Sequence, residues 1–159
     1  MINTNGDKYN NNIKYEKSNL KIQNEKEKFK KEFISRLIRF SIGTIKFAEK
    51  IRHDRNLWLI TDQLIRAVTS VGANMVEAKS SSSKKDYIRF FEIALKSANE
   101  SKYWYLLIKE VVANNELKQE VSELLQEAND ISKIIGSSVL TLKGKKQFYI
   151  LNYNLSFDF

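Results

Sequence analysis

The stretch ELKQEVSELLQEANDISKIIGSSVLTL, residues 116–142, decides the fold. Its apolar and small positions Leu117, Val121, Leu124, Ala128, Ile131, Ile135, Ser138 and Leu142 follow one another in alternating steps of four and three. A mean step of about 3.5 residues keeps one helix seam against a partner in left-handed bundles, whereas a strand shows a period of about two. The stretch therefore reads as a helix that packs lengthwise on others.

Working toward the N-terminus, Asn114-Asn115 is a short turn, which favours an antiparallel hairpin with the helix before it. That helix is expected from Ser83 to about Ala113. Ser83 and Asp86 stand at N-cap and N3, and Tyr87, Phe91, Ala94, Ala98, Tyr105, Ile108 and Val112 form its stripe. Phe90, Ile93, Trp104, Leu107 and Val111 widen that stripe enough to suggest burial on two sides. The four serines 80–83 make a loop. The helix before them is expected from a Thr61 N-cap to about Lys79, with Leu64, Val68, Val71, Met75 and Ala78 buried. The first helix is expected from about Lys28 to Arg52, burying Phe33, Ile34, Leu37, Ile38, Ile45, Ala48 and Ile51. The sequence contains no proline, so no helix interior is interrupted by one.

The whole reads as all-α: an antiparallel up-down four-helix bundle over residues 28–143. Residues 1–27 read as a disordered Asn/Lys-rich tail. Residues 144–159 form an aromatic C-terminal extension, in which Tyr149, Leu151, Tyr153, Leu155, Phe157 and Phe159 alternate with a strand period. A lone strand does not stabilise itself, so this end is expected to lie on the bundle or a neighbouring subunit, or to stay partly ordered.

The chemistry is sparse. There is no cysteine, and the single histidine, His53, lies in a polar turn, which leaves no two-histidine metal site and no nucleophile elbow. The five glycines are isolated, so no glycine-rich phosphate cradle exists. No enzyme activity, cofactor or metal is expected. No apolar run approaches the roughly 18 residues of a membrane span, and the N-terminus lacks a signal peptide's apolar stretch, so a cytoplasmic location is expected.

Net charge is +8, and residues 1–52 carry 13 Lys/Arg against 6 Asp/Glu. Such a balance favours an acidic partner such as RNA or DNA, or marks a lysine-rich soluble protein. Arg36, Arg39, Lys46 and Lys50 form a stripe off the apolar face of the first helix, either a solvated face or a phosphate-tracking strip. Arg52, Arg55, Lys84, Lys85 and Arg89 are possible additions. A second constellation is polar. Gln63, Arg66, Ser70, Asn74 and Glu77 line one stripe, and Lys96, Ser97, Glu100 and Ser101 do the same on the next helix. It reads as register-setting glue, with an Arg66–Glu100 pair beside the core, or as a binding site. A buried pair of that kind is costly to break, by roughly 3–5 kcal/mol.

The run QLIRAVTSVGANMVEA (residues 63–78), followed by SKKDYIRFFEIALKSANESKYW (residues 83–104), resembles the four helix bundle protein family. That family includes the 23S ribosomal RNA intervening-sequence proteins and the accessory variability determinant of diversity-generating retroelements. The resemblance covers about residues 29–142. Its most specific pieces are Gln63, Arg66-Ala67, Ser70, Asn74 and Glu77, then Ala94, Ser97 and Glu100. Ala78 and Lys96 stand where many members have glycine, which points to a different branch. The resemblance implies an antiparallel four-helix bundle that assembles into a ring-like homopentamer. In the retroelement branch it implies a basic surface that engages a reverse transcriptase and nucleic acid. The expected function is thus a non-enzymatic, oligomeric binding module for RNA or DNA, with a protein–protein scaffold as the alternative.

Overall fold

The computed structural model describes the backbone of residues 4–144, and side chains from residue 18 onward. Four α-helices follow in order: α1 (Thr4–Ile51), α2 (Trp58–Glu77), α3 (Lys84–Val111) and α4 (Asn115–Leu142). A 3-10 turn, Ala78–Ser80, extends α2, and no strand occurs among the described residues. The alternating C-terminal segment lies outside them.

The chain divides into two compact units, residues 1–36 and 37–159. The first is the N-terminal part of α1. Helix therefore begins at Thr4, whereas a disordered tail was expected up to residue 27. Residues 18–32 have no amphipathic face, being exposed all round. Backbone hydrogen bonding needs no such face. Lys, Glu and Gln are good helix formers, and pairs along the helix add to them: Lys30 with Glu27 at 2.8 Å and Lys28 with Glu32 at 3.9 Å.

In the second unit, α2 packs on α3 and α3 on α4. The end of α1 joins them through Phe40 and Thr44, both in contact with Tyr105 of α3. At Gly43 an added Cβ would meet Leu124 of α4 at 3.6 Å. Leu37, Phe40, Thr44, Phe47, Ala48 and Ile51 are the buried face of α1 in this unit. Ile38 and Ile45, expected inside, are exposed. Two faces of α1 carry apolar residues at helical spacing, and the one with the larger phenylalanines is the one buried. The core of α2 is as expected, with Leu64, Val68, Val71, Met75 and Ala78 all buried.

Two helix starts are capped by side chains. Ser83 Oγ accepts the Asp86 N–H at 3.1 Å, and Asn114 Oδ1 accepts the N–H groups of Glu116 and Leu117 at 2.7 and 3.1 Å. Thr61 is not a cap. It lies one turn inside α2, fully buried, and its hydroxyl donates to the Leu57 carbonyl at 2.6 Å. Leu57, itself buried, prolongs the seam of Leu64 and Val68 by two turns and carries the helix back to Trp58. Between α1 and α2 the residues from Arg52 to Asn56 are exposed. Asp54 Oδ1 closes this turn on the Asn56 N–H at 2.8 Å.

Candidate functional site

Ala67 and Ser70 of α2 and Ser97 of α3 are small residues where these two packed helices meet. Ser70 and Ser97 meet there, hydroxyl to hydroxyl, at 2.9 Å. Asn74 braces the contact, its amide donating to the Ser70 carbonyl at 2.8 Å and to Ser70 Oγ at 3.1 Å. Beside it lies an open groove of about 510 Å³, with Gln63, Arg66, Ser70, Ala73, Ser97 and Glu100 along its walls. Most of the polar stripe read from the sequence thus converges on one place, while Glu77 is exposed beyond it.

The expected Arg66–Glu100 pair is absent. Both side chains are exposed on the groove rim, and Glu100 accepts a long hydrogen bond from Trp104 Nε1 at 3.4 Å instead. Water solvates each charge well enough that pairing would gain little. The glue between α2 and α3 is the serine pair with its asparagine.

The basic residues divide differently from their order in the sequence. Lys50 is committed to α4, its ammonium 2.8 Å from both carboxylate oxygens of Glu120. Arg52 pairs with Asp62 at 3.7 Å. Arg89 pairs with Asp86 at 3.6 Å and also lies over the Phe90 ring at 5.7 Å. Arg39, Lys46, Arg55, Lys84 and Lys85 are exposed and form no ion pair among the described residues. Arg36 ends the first unit and has an interaction of its own. Arg52 and Arg55 precede α2, while Lys84, Lys85 and Arg89 follow it. The 20 residues of α2 hold the two groups apart by about 30 Å. Next to Arg39 and Lys46, α1 exposes a ridge of isoleucines, Ile38 (55%), Ile42 (47%) and Ile45 (38%), one turn apart.

One cation escaped the sequence reading. Lys102 sits half-buried between α3 and α4, its Nζ donating to Ser132 Oγ at 3.3 Å. Burial holds its pKa below the ordinary lysine value, and the nearby charge of Lys133 pushes the same way. Neither lysine forms an ion pair among the described residues. The signal was available: Lys102 stands four residues after Ala98 and three before Tyr105, inside the apolar stripe of α3.

Among the described residues no helix is long and apolar enough to cross a membrane, and no cluster of His, Asp or Glu could hold a metal ion. The sequence profile of the family described as 23S rRNA-intervening sequence protein matches residues 21–137. No curated protein matches the chain. A solved structure of a protein with unknown function from the S23 ribosomal protein family of Bacteroides thetaiotaomicron is similar in fold, with a TM-score of 0.63 at 24% identity. The match covers 69% of this chain and 96% of that one.

Proposed function

Because the chain belongs to the 23S rRNA-intervening sequence protein family, we infer that it is a non-enzymatic, self-associating module that holds RNA or DNA by its phosphates, in the cytoplasm. The observation that carries this reading is the set of exposed cations, Arg39, Lys46, Arg55, Lys84 and Lys85, that form no ion pair among the described residues. Each phosphate that such a cation neutralises releases condensed counterions, which favours binding without reading bases. In this reading the helices alternate up and down and the protomers close into a ring, a pentamer by family likeness. The isoleucine ridge of α1 supplies apolar surface for the contact between copies. Symmetry then repeats a weak cationic surface and raises its avidity. A nucleic-acid-processing enzyme such as a reverse transcriptase is the natural client of such a ring.

The same ridge favours a second reading, a protein–protein scaffold with no nucleic-acid role. Fluorescence anisotropy with labelled RNA and duplex DNA separates the two. Binding should weaken as salt rises, with a log–log slope of about −0.9 per phosphate contact on duplex. Reversing Arg39, Lys46, Lys84 and Lys85 to Glu in the full chain should abolish it while the helical content stays unchanged. Binding that is salt-independent, absent, or indifferent to the reversals would leave the scaffold reading in place.

A further inference from the structure

We propose that Lys102 and Lys133, on the seam between α3 and α4, form a binding site for a dianionic phosphate group. The site goes beyond the cations of the proposed function and stands or falls separately from them.

An ammonium half-removed from water normally has a carboxylate beside it, because desolvating an unpaired charge is costly. Lys102 has instead a neutral hydroxyl, Ser132, and a second ammonium, Lys133, as its electrostatic neighbour. On α3 the acids nearest its face are Glu110, eight residues on, and Glu92, ten residues back and engaged by Lys143, and neither forms an ion pair with it among the described residues. Ser132 holds the ammonium in place. Its own proton goes to the Asn129 carbonyl at 2.9 Å, which leaves Oγ as an acceptor for Nζ. A lysine has three N–H donors and this contact uses one. The free donors of Lys102 and the whole ammonium of Lys133 remain to meet a ligand. Around them the helix spacing places the side-chain amides of Asn99 and Asn129, one turn before Lys102 and Lys133, and one carboxylate, Asp130, three residues before Lys133, which has an interaction of its own.

The charge count selects the ligand. A single negative charge relieves one ammonium and leaves the other repelled, whereas a phosphate monoester or inorganic phosphate carries close to two charges at neutral pH and bridges both. An internal diester of a nucleic acid carries only one. The two sources with the right chemistry are free phosphate and the terminal phosphate of a nucleic acid chain.

The test uses the full chain. Thermal unfolding is followed with sodium phosphate against sodium chloride at equal ionic strength. Phosphate should raise the wild-type Tm by about 5 °C at saturating concentration, and Lys102→Met and Lys133→Gln should each remove that rise. Lys133 is exposed, so its variant keeps the measurement valid if Lys102→Met folds poorly. Reversing Arg39 and Lys46 to Glu should leave the phosphate effect intact, which separates this site from the α1 surface. A second arm compares an oligonucleotide carrying a 5′-phosphate with one ending in a hydroxyl. Roughly tenfold tighter binding of the former, lost in Lys133→Gln, assigns the site to nucleic-acid ends, a difference of about 1.4 kcal/mol. Equal binding of the two, with phosphate still stabilising, assigns it to free phosphate. An equal Tm rise in wild type and both variants, or none in any, overturns the proposal.

Discussion

The phenol of Tyr105 donates its proton to Thr44 Oγ1, 2.5 Å away, in the middle of the core. The direction follows from Thr44, whose own hydroxyl proton is given to the Phe40 carbonyl at 2.9 Å. Neither side chain is exposed at all. Together with the Phe40–Tyr105 ring contact, this bond ties the end of α1 to α3. Thr44→Val keeps the shape but strips the phenol of its acceptor, and should destabilise by about 1–3 kcal/mol in urea unfolding. Adding Tyr105→Phe to that variant should recover part of the loss, because a buried donor without an acceptor is then no longer present.

Burial also sets the pH response of Tyr105. It pushes the phenol well above its ordinary range, and the Thr44 hydrogen bond pulls back only partly. In the unfolded chain the phenol ionises near pH 10, so the folded state holds the proton more tightly. This contribution is fully present below about pH 10 and is lost as pH rises further. Between pH 10 and 12 the wild type should lose stability faster than Tyr105→Phe; parallel curves would contradict the assignment.

Lys102 has the opposite sign. Its folded pKa lies below the unfolded one, so the protonated folded state is penalised at neutral pH. Lys102→Met should unfold at a higher temperature than wild type near pH 7. The advantage should shrink as pH climbs through the folded pKa toward the ordinary lysine value of about 10.4. Lys133 is the charged group that acts on it from α4.

Gly72 lies inside α2, and an added Cβ there would meet nothing within 4 Å. Gly72→Ala should therefore stabilise the protein by about 0.5–1 kcal/mol through helix propensity alone. Denaturant titration reads this directly, and an unchanged or lower midpoint would mean that the position is constrained by more than its own helix.

Arg66→Ala should change stability by no more than about 0.5 kcal/mol, since the guanidinium is exposed and makes no ion pair with Glu100. Ser83→Ala, in contrast, removes the acceptor at the start of α3 and should cost about 1 kcal/mol. A thermal shift for Arg66→Ala larger than that for Ser83→Ala would reverse the account of the groove.

The sequence was legible where one physical requirement acted alone. The α2 seam could be read because only one of its faces is continuously apolar, and Ser83 because nothing competes with its role as a cap. It misled where a residue type serves two ends. Thr61 looks like a cap in any polar turn, yet a buried helix also accepts a threonine that bonds back to its own carbonyl, as here with Leu57. Ile38 and Ile45 stand seven residues apart, as the buried Phe40 and Phe47 do, and only packing reveals which row is covered. Among the candidate cations, spacing along α1 grouped Lys50 with Lys46, but the proximity of Glu120 is a fact of tertiary structure. Lys102 stands inside the apolar stripe of α3, which marks it in the sequence, but the hydroxyl that receives it lies thirty residues away on α4.

The exposed turn from Arg52 to Asn56 has a practical use. The chain has no cysteine, so a thiol placed at Asn56 would be unique and open to maleimide chemistry. Asp54 closes the turn by accepting the backbone N–H of residue 56, which any side chain but proline preserves. A fluorophore there would report from a fixed corner at the start of α2. Mixing donor- and acceptor-labelled copies would then report any association between them as an energy-transfer efficiency, with no core residue altered.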